Sequence, residues 1–349
     1  MSVSVMVAPS PGSSATGSPA PMVSRGDVDS RGSGNPQGMP AVGSTSANPK
    51  TGEASPAIAA DLLQLTKPRI VTMILVTTAI AALIAGGGTM SPLLLLHLIV
   101  GVAMVAGSAG AMNQVWEYRI DGQMERTRRR PIAAGRIGFW SGFAFSTLLG
   151  VVGCVYLWLV IGPAPSLFAL ATWVLYVPIY TPMKVRSQWN TTVGAISGAL
   201  PMMIGYTATG GSVTDPTGWL LVGVLMAWQY PHFMAIAWLF RRQYAEAGFQ
   251  MTTTVEPSGR SAAIQSVAGM IALAGCLVGL VYLIAGSSTI AMALMVALVL
   301  SITYPMTAAA VRFWQSRDDM TARKLLRASL LQLPASLLLL TIAALVWGQ

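Results

Sequence analysis

Residues 92–131 read PLLLLHLIVGVAMVAGSAGAMNQVWEYRIDGQMERTRRRP. The first half, to Met112, holds no Asp, Glu, Lys or Arg. Its length matches the roughly 20 residues a helix needs to cross about 30 Å of hydrocarbon. The second half reverses character, placing Glu117, Asp121 and Glu125 among Arg119, Arg126, Arg128, Arg129 and Arg130. A span that ends in a dense patch of both charge signs sets the class of the molecule, an all-α membrane protein with chemistry at one face.

Working outward, eight further apolar runs share that length. With the first, they lie at about 68–86, 92–113, 137–161, 166–183, 191–209, 218–240, 262–285, 289–313 and 328–347. The expectation is about nine transmembrane helices around a central cavity, over residues 56–349. Pro178, Pro182, Pro201 and Pro231 fall in the fourth to sixth runs. In membrane bundles such breaks survive where neighbouring helices or a polar cavity satisfy the freed backbone groups, which points to a cavity there.

Composition agrees. Of 349 residues, 54% are hydrophobic and only 9% charged, against roughly 25% in soluble domains. So little charge could not solvate a surface of this size, so the lipid bilayer is the expected solvent. The net charge of +9 does not form a nucleic-acid-binding patch, because of where it sits. Every Lys and Arg lies in the N-terminal flank or in the loops after runs two, four, six and eight, with their helix ends. The loops after runs one, three, five and seven have none. That alternation is the positive-inside pattern, and a wrong helix count would scramble it. It puts the N-terminus in the cytoplasm.

Residues 1–55 are Ser, Gly, Pro, Ala and Asn in irregular order, and such a segment cannot bury enough apolar area to offset its ordering entropy. It reads as a disordered tail. It has no apolar core of a secretory signal, and its acids match its few basic residues, unlike a mitochondrial transit peptide. A bacterial inner (plasma) membrane is expected rather than a mitochondrial one. Cys154 and Cys276 lie in apolar runs without metal-ligand spacing and read as small hydrophobes.

The chemistry concentrates in residues 113–131. Asn113, Glu117 and Asp121 are four apart, so on a helix they share one face with Cβ atoms about 5–6 Å apart. Like charges at that spacing need an offsetting cation. Mg²⁺ suits the set, since it takes one or two protein carboxylates and fills its other positions with water and phosphate oxygens. Arg126, Arg128, Arg129 and Arg130 follow, and guanidinium forks match phosphate oxygens. The set reads as a Mg²⁺-diphosphate site at a membrane mouth. A solvated loop that only fixes topology would explain the arginines but not the acid spacing.

These residues resemble the first Asp-rich motif of the UbiA superfamily of intramembrane prenyltransferases. The likeness is to the heme-directed branch, where Asn, Glu and Asp precede a Met-x-Arg-Thr-x-x-Arg-Pro run, here Met124 to Pro131. LTKPRI at 65–70, YTPMK at 180–184, NTTVGAISGALP at 190–201 and WQYPHF at 228–233 are similar to the same family. The resemblance implies farnesyl diphosphate as donor, heme b as acceptor, Mg²⁺ as cofactor, and a downstream heme-modifying or oxidase-assembly protein as a partner. It implies that Asn113, Glu117 and Asp121 hold the metal while Arg126, Arg130, Lys184 and Arg186 stabilise the leaving diphosphate. Tyr180, Trp228, Tyr230 and Tyr244 are candidates to face the farnesyl cation.

One departure stands out. The family's second acidic motif has an Asp before a Tyr, where this chain has Gln243 before Tyr244. Glu246 is the candidate to supply the missing carboxylate as a metal ligand. His232, inside a span, is a candidate contact for heme iron, the other reading being a hydrogen-bonded cavity histidine. His97 reads as structural. An aromatic or quinone-precursor acceptor is the alternative within the same chemistry. A transporter is the alternative outside it, opposed by acids at helix ends and the absence of a repeat.

Overall fold

The computed structural model describes residues 54–87, 90–284 and 288–347. The tail expected over residues 1–55 lies outside the described residues except for Ala54 and Ser55, which open the first helix. The described residues are helical, with no strand among them. Helix α1 (Ala54–Leu65) precedes the first span and was not anticipated from sequence. The chain then runs through α2 (Pro68–Gly86), α3 (Pro92–Asp121), α4 (Phe139–Val160), α5 (Pro163–Val174) and the three-residue α6 (Thr181–Met183). It continues through α7 (Asn190–Ala199), α8 (Pro201–Ala208), α9 (Pro216–Leu239), α10 (Arg241–Glu246) and α11 (Thr252–Val255). The last three helices are α12 (Arg260–Ile284), α13 (Thr289–Ser316) and α14 (Asp319–Trp347).

Eight stretches are long and apolar enough to cross a membrane, the segment Pro163–Met183 counting as one. The remaining apolar run, at 191–209, is a tandem of two short helices, α7 and α8, so the nine expected runs stand as eight continuous spans and one broken pair. Pro201 opens α8, where its missing N–H costs nothing because the first turn has no acceptor for it. The pair is anchored from both sides. Gln229 of α9 donates to the Ala195 carbonyl at 3.0 Å. Gly205 lies so close to α2 that a Cβ there would stand 2.0 Å from the Thr78 carbonyl oxygen.

A second irregularity sits between α5 and α6. Leu175–Tyr180 is wound as a π turn around Pro178. A proline inside a helix has no N–H and clashes with the carbonyl four residues back. Widening the turn accommodates it, and π turns inside helices are frequent at functional sites. Here the widened turn brings Tyr176, Tyr180 and Thr181 toward α3.

The largest apolar core joins α9, α12, α13 and α14 to α2 and α8, around Met203, Leu221, Leu273, Leu277, Met306 and Phe313. Facing outward, Trp140, Leu159, Ile271, Ile290 and Leu331 are 71–76% exposed. Large apolar side chains on the outside are what lipid contact requires, so this is a multi-pass membrane protein.

At the charged end the loops pack on one another. Met124, Tyr244 and Phe249 form a small apolar cluster that joins the arginine loop to α10. Asn190, fully buried, donates to the Ser187 and Gln250 carbonyls, while the Gln250 N–H donates to the Lys184 carbonyl. Arg136 pairs with Asp61 of α1 at 2.9 Å. These ties hold the charged face as one layer over the helix ends.

Candidate active site

Helix α3 runs two turns beyond its apolar stretch and carries the polar ladder with it. Asn113, Glu117 and Asp121 are 1%, 5% and 1% exposed, while Trp116 on the other face is 53% exposed. Two carboxylates this deeply buried are costly unless compensated. The structure compensates each rung with a different cation.

Lys67 donates its ammonium to Asn113 Oδ1 in a short hydrogen bond. Lys184 lies 2.9 Å from Glu117 Oε1. It is a close ion pair whose direction falls outside a regular hydrogen bond, so that oxygen has no well-aligned donor. Arg130 bonds both oxygens of Asp121 at 2.7 Å. Thr127 donates to the Asp121 carbonyl at 2.9 Å, folding the arginine loop back over the end of α3. From the π turn, Thr181 accepts from Asn113 Nδ2 at 3.0 Å and donates to the Tyr176 carbonyl at 2.9 Å. The Lys184 ammonium stands 4.8 Å from the centre of the Tyr180 ring, and Tyr176 lies 5.3 Å from Tyr180.

Lys67 reaches the ladder because of its backbone. It takes a left-handed conformation (φ 56°, ψ 60°) just before Pro68, rare for a residue other than glycine. The segment is fastened to α3 by Gln114, which donates to the Leu65 carbonyl at 2.9 Å. Gly110 permits the approach, since a Cβ there would meet the Thr66 carbonyl oxygen at 2.9 Å.

Electrostatics follow from this crowding. Although Lys67 is only half-buried as a residue, its ammonium sits inside the cluster. Burial, with Arg130 and Lys184 nearby, pushes its pKa down to about 7, against the pull of Glu117 and Asp121. Lys184 behaves oppositely. Burial works against its charge, but the Glu117 carboxylate, together with Tyr180 and Tyr176, more than offsets it and holds its pKa above the usual lysine value.

Not every residue singled out from sequence joins this cluster. Arg126 is exposed, its guanidinium 5.2 Å from the centre of the Phe240 ring. Arg186 is exposed, with no side-chain hydrogen bond or ion pair to the ladder among the described residues. Tyr244 is buried against Met124 and Phe249, and Gln243 is half-buried beside it. Glu246 is exposed at the end of α10 and forms no ion pair among the described residues. Trp228 turns away from the ladder, its indole donating to the Ser329 carbonyl at 2.9 Å. Tyr230 is bonded to Thr192 at 3.0 Å. His232 has the hydrogen-bonded setting, with Nδ1 2.8 Å from the Ser329 hydroxyl and its ring stacked on Trp228 at 4.6 Å. Lys67, Thr181 and Tyr176 were missed. The signal for Lys67 was its place in LTKPRI, where it was counted only as a topology charge.

The donor set fits Mg²⁺. It is all oxygen, one amide and two carboxylates on one helix face. Among the described residues no three His, Cys, Asp or Glu side chains converge as a cage. A cation with few protein ligands that completes its shell from phosphate is what such a set suits. Three cations around two carboxylates leave a net positive field for an anionic group.

A buried acidic ladder ringed by cations thus closes one end of a helical membrane bundle. The chain belongs to the UbiA prenyltransferase family, whose model matches residues 74–346. It is 54% identical over 285 residues to the protoheme IX farnesyltransferase of Rhodopirellula baltica, covering 81% of this chain and 99% of that one. Two solved structures share its fold. A digeranylgeranylglyceryl phosphate synthase superposes with a TM-score of 0.64 at 14% identity, over 82% of this chain and 99% of the other. A UbiA homolog from Archaeoglobus fulgidus bound to GPP and Mg²⁺ gives 0.59 at 13% identity, with the same two coverages.

Proposed function

We infer that this chain transfers the farnesyl group of farnesyl diphosphate to a vinyl group of heme b. Water adds in the same overall reaction, and the products are heme o and diphosphate. The observation that carries this reading is the rung-by-rung pairing of Asn113, Glu117 and Asp121 with Lys67, Lys184 and Arg130. The 54% identical farnesyltransferase supports the choice of donor and acceptor.

Asn113, Glu117 and Asp121 are the residues to hold Mg²⁺, which when bound neutralises diphosphate charge as the allylic C–O bond breaks. Lys184 and Arg130 stand on the Glu117 and Asp121 carboxylates. Turning to the diphosphate, they exchange a carboxylate oxygen for a phosphate oxygen and stabilise the charge that develops on the leaving group. Lys67 adds a third donor from the opposite side, with Arg126 and Arg186 at the exposed rim. Tyr180 and Tyr176 offer aromatic faces one turn from the ladder, where an allylic cation is stabilised once water is excluded. His232, oriented by Ser329, keeps Nε2 free for heme iron.

The charged face is cytoplasmic, by the loop-charge alternation, and the membrane is the bacterial plasma membrane, as the bacterial relative supports. Heme o, insoluble in water, then passes to a heme-modifying or oxidase-assembly protein. The test is direct. Purified protein given heme b, farnesyl diphosphate and Mg²⁺ should yield a heme heavier by one farnesyl group and one hydroxyl group. A prenylated aromatic or quinone precursor with no modified heme would assign a different acceptor.

A further inference from the structure

The antiparallel helices α12 and α13 meet in a seam with two clefts in line. The first, about 380 Å³, is lined by Arg260, Ile264, Trp314, Gln315 and Arg317 at the charged end. The second, about 390 Å³, begins one turn deeper, at Val267 and Val311, and extends to Ala274 and Leu300 past Tyr304. One mouth is therefore basic and the rest apolar.

Neither Arg260 nor Arg317 makes a side-chain hydrogen bond or ion pair among the described residues. The nearby acids are already engaged. Glu256 accepts from the Ser258 hydroxyl and the Ser261 N–H. Asp318 accepts from the Thr321 N–H at 2.7 Å and its hydroxyl at 3.0 Å. Asp319 is paired with Arg241 at 2.8 Å. Two arginines thus face one cleft without an ion pair among the described residues. Arg317 is fixed there by a left-handed backbone (φ 49°) that closes α13.

The dimensions match one leaflet. From Arg317 to Leu300, α13 rises about 25 Å at 1.5 Å per residue, and half a bilayer with headgroups is about 20 Å deep. Trp314 sits at the depth where aromatic belts form. Basic pockets between spans on the cytoplasmic side suit anionic headgroups.

We propose that the α12–α13 seam is a binding site for an anionic phospholipid, whose phosphate is held by Arg260 and Arg317 and whose acyl chain lies along Ile264, Ile271 and Tyr304. The site lies on helices that contribute nothing to the ladder, so it stands or falls apart from the proposed reaction.

Native mass spectrometry of the full chain in neutral detergent tests it, with phosphatidylglycerol and phosphatidylcholine of identical acyl chains as probes. Wild type should prefer phosphatidylglycerol by about 30-fold, the worth of two arginines at a membrane surface. Arg260→Gln with Arg317→Gln should bring the preference near unity and leave phosphatidylcholine retention unchanged. Ala274→Phe, filling the groove, should weaken both lipids while farnesyl transfer persists, which shows the variant is folded. Millimolar inorganic phosphate should displace neither lipid. An equal affinity of wild type for the two lipids, a preference that survives the double substitution, release of lipid by phosphate alone, or a dimer that excludes lipid from the seam would each overturn the proposal.

Discussion

Lys67, in the turn ahead of the first span, donates its ammonium to Asn113 on α3 across 46 residues of sequence. That bond joins the entry of α2 to the deepest rung of the ladder and places a third cation against the site. If the ammonium helps hold the diphosphate, Lys67→Met should cut kcat/KM for farnesyl diphosphate by about 10²-fold while leaving the KM for heme within about twofold. A fall in the heme term alone would move Lys67 out of the diphosphate site.

The same lysine sets a pH dependence. Its pKa is about 7 in the fold against 10.5 when unperturbed. Between those values the unfolded chain binds a proton that the folded chain does not, so stability rises with pH across that window. Below about 7 both states are protonated and the full penalty applies. In chelator-treated, ligand-free protein, the melting temperature of wild type relative to Lys67→Met should therefore climb from pH 7 to pH 10. A flat or falling difference would place the ammonium in a better-solvated setting.

Gly110 keeps that lysine in reach. Gly110→Ala puts a Cβ 2.9 Å from the Thr66 carbonyl oxygen, and backbone has no rotamer by which to yield. A loss of about 1–3 kcal/mol in stability is expected, together with weaker farnesyl diphosphate binding. Gly275→Ala, where a Cβ meets nothing within 4 Å, is the control and should be neutral or mildly stabilising. Equal effects at both sites would mean the close approach is not needed.

Glu246 illustrates where sequence and structure part. Its spacing after Gln243 made it the natural replacement for the missing acid, yet it is exposed and does not form a three-carboxylate group with Glu117 and Asp121. Glu246→Gln should leave the Mg²⁺ concentration for half-maximal activity within about twofold, whereas removing a carboxylate ligand costs roughly tenfold or more. A tenfold rise would restore Glu246 to the metal site.

Much of this was legible in the residues. Span lengths gave the eight continuous spans found among the described residues, because hydrocarbon thickness sets helix length, but not that the remaining run, 191–209, would break into α7 and α8. The i, i+4, i+8 spacing gave the shared face of Asn113, Glu117 and Asp121, because helix geometry is local. What stayed hidden was non-local. Lys67 looked like any other flanking charge until its left-handed turn was known. Pro178 announced a break but not that a π turn would bring Thr181 onto Asn113. Trp228 is near other aromatics in sequence, but the helix rotation that turns it onto Ser329 comes from packing against α14. Helix α1 carries too few residues to stand out as a span, and the bonds to its Asp61 and Gln64 from Arg136 and to its Leu65 from Gln114 show that it belongs to the charged layer.

The most direct measurement is the mass of the heme product made by wild type and by Asp121→Asn, each purified at full length with matched helicity. Removing the Asp121 charge leaves Arg130 without its carboxylate partner and takes away one of the oxygens proposed for the metal while keeping the shape. The expected result is farnesylated, hydrated heme from wild type with Mg²⁺ and at least about 10²-fold less from the variant. Full activity in Asp121→Asn would contradict the claim that this buried ladder grips the diphosphate.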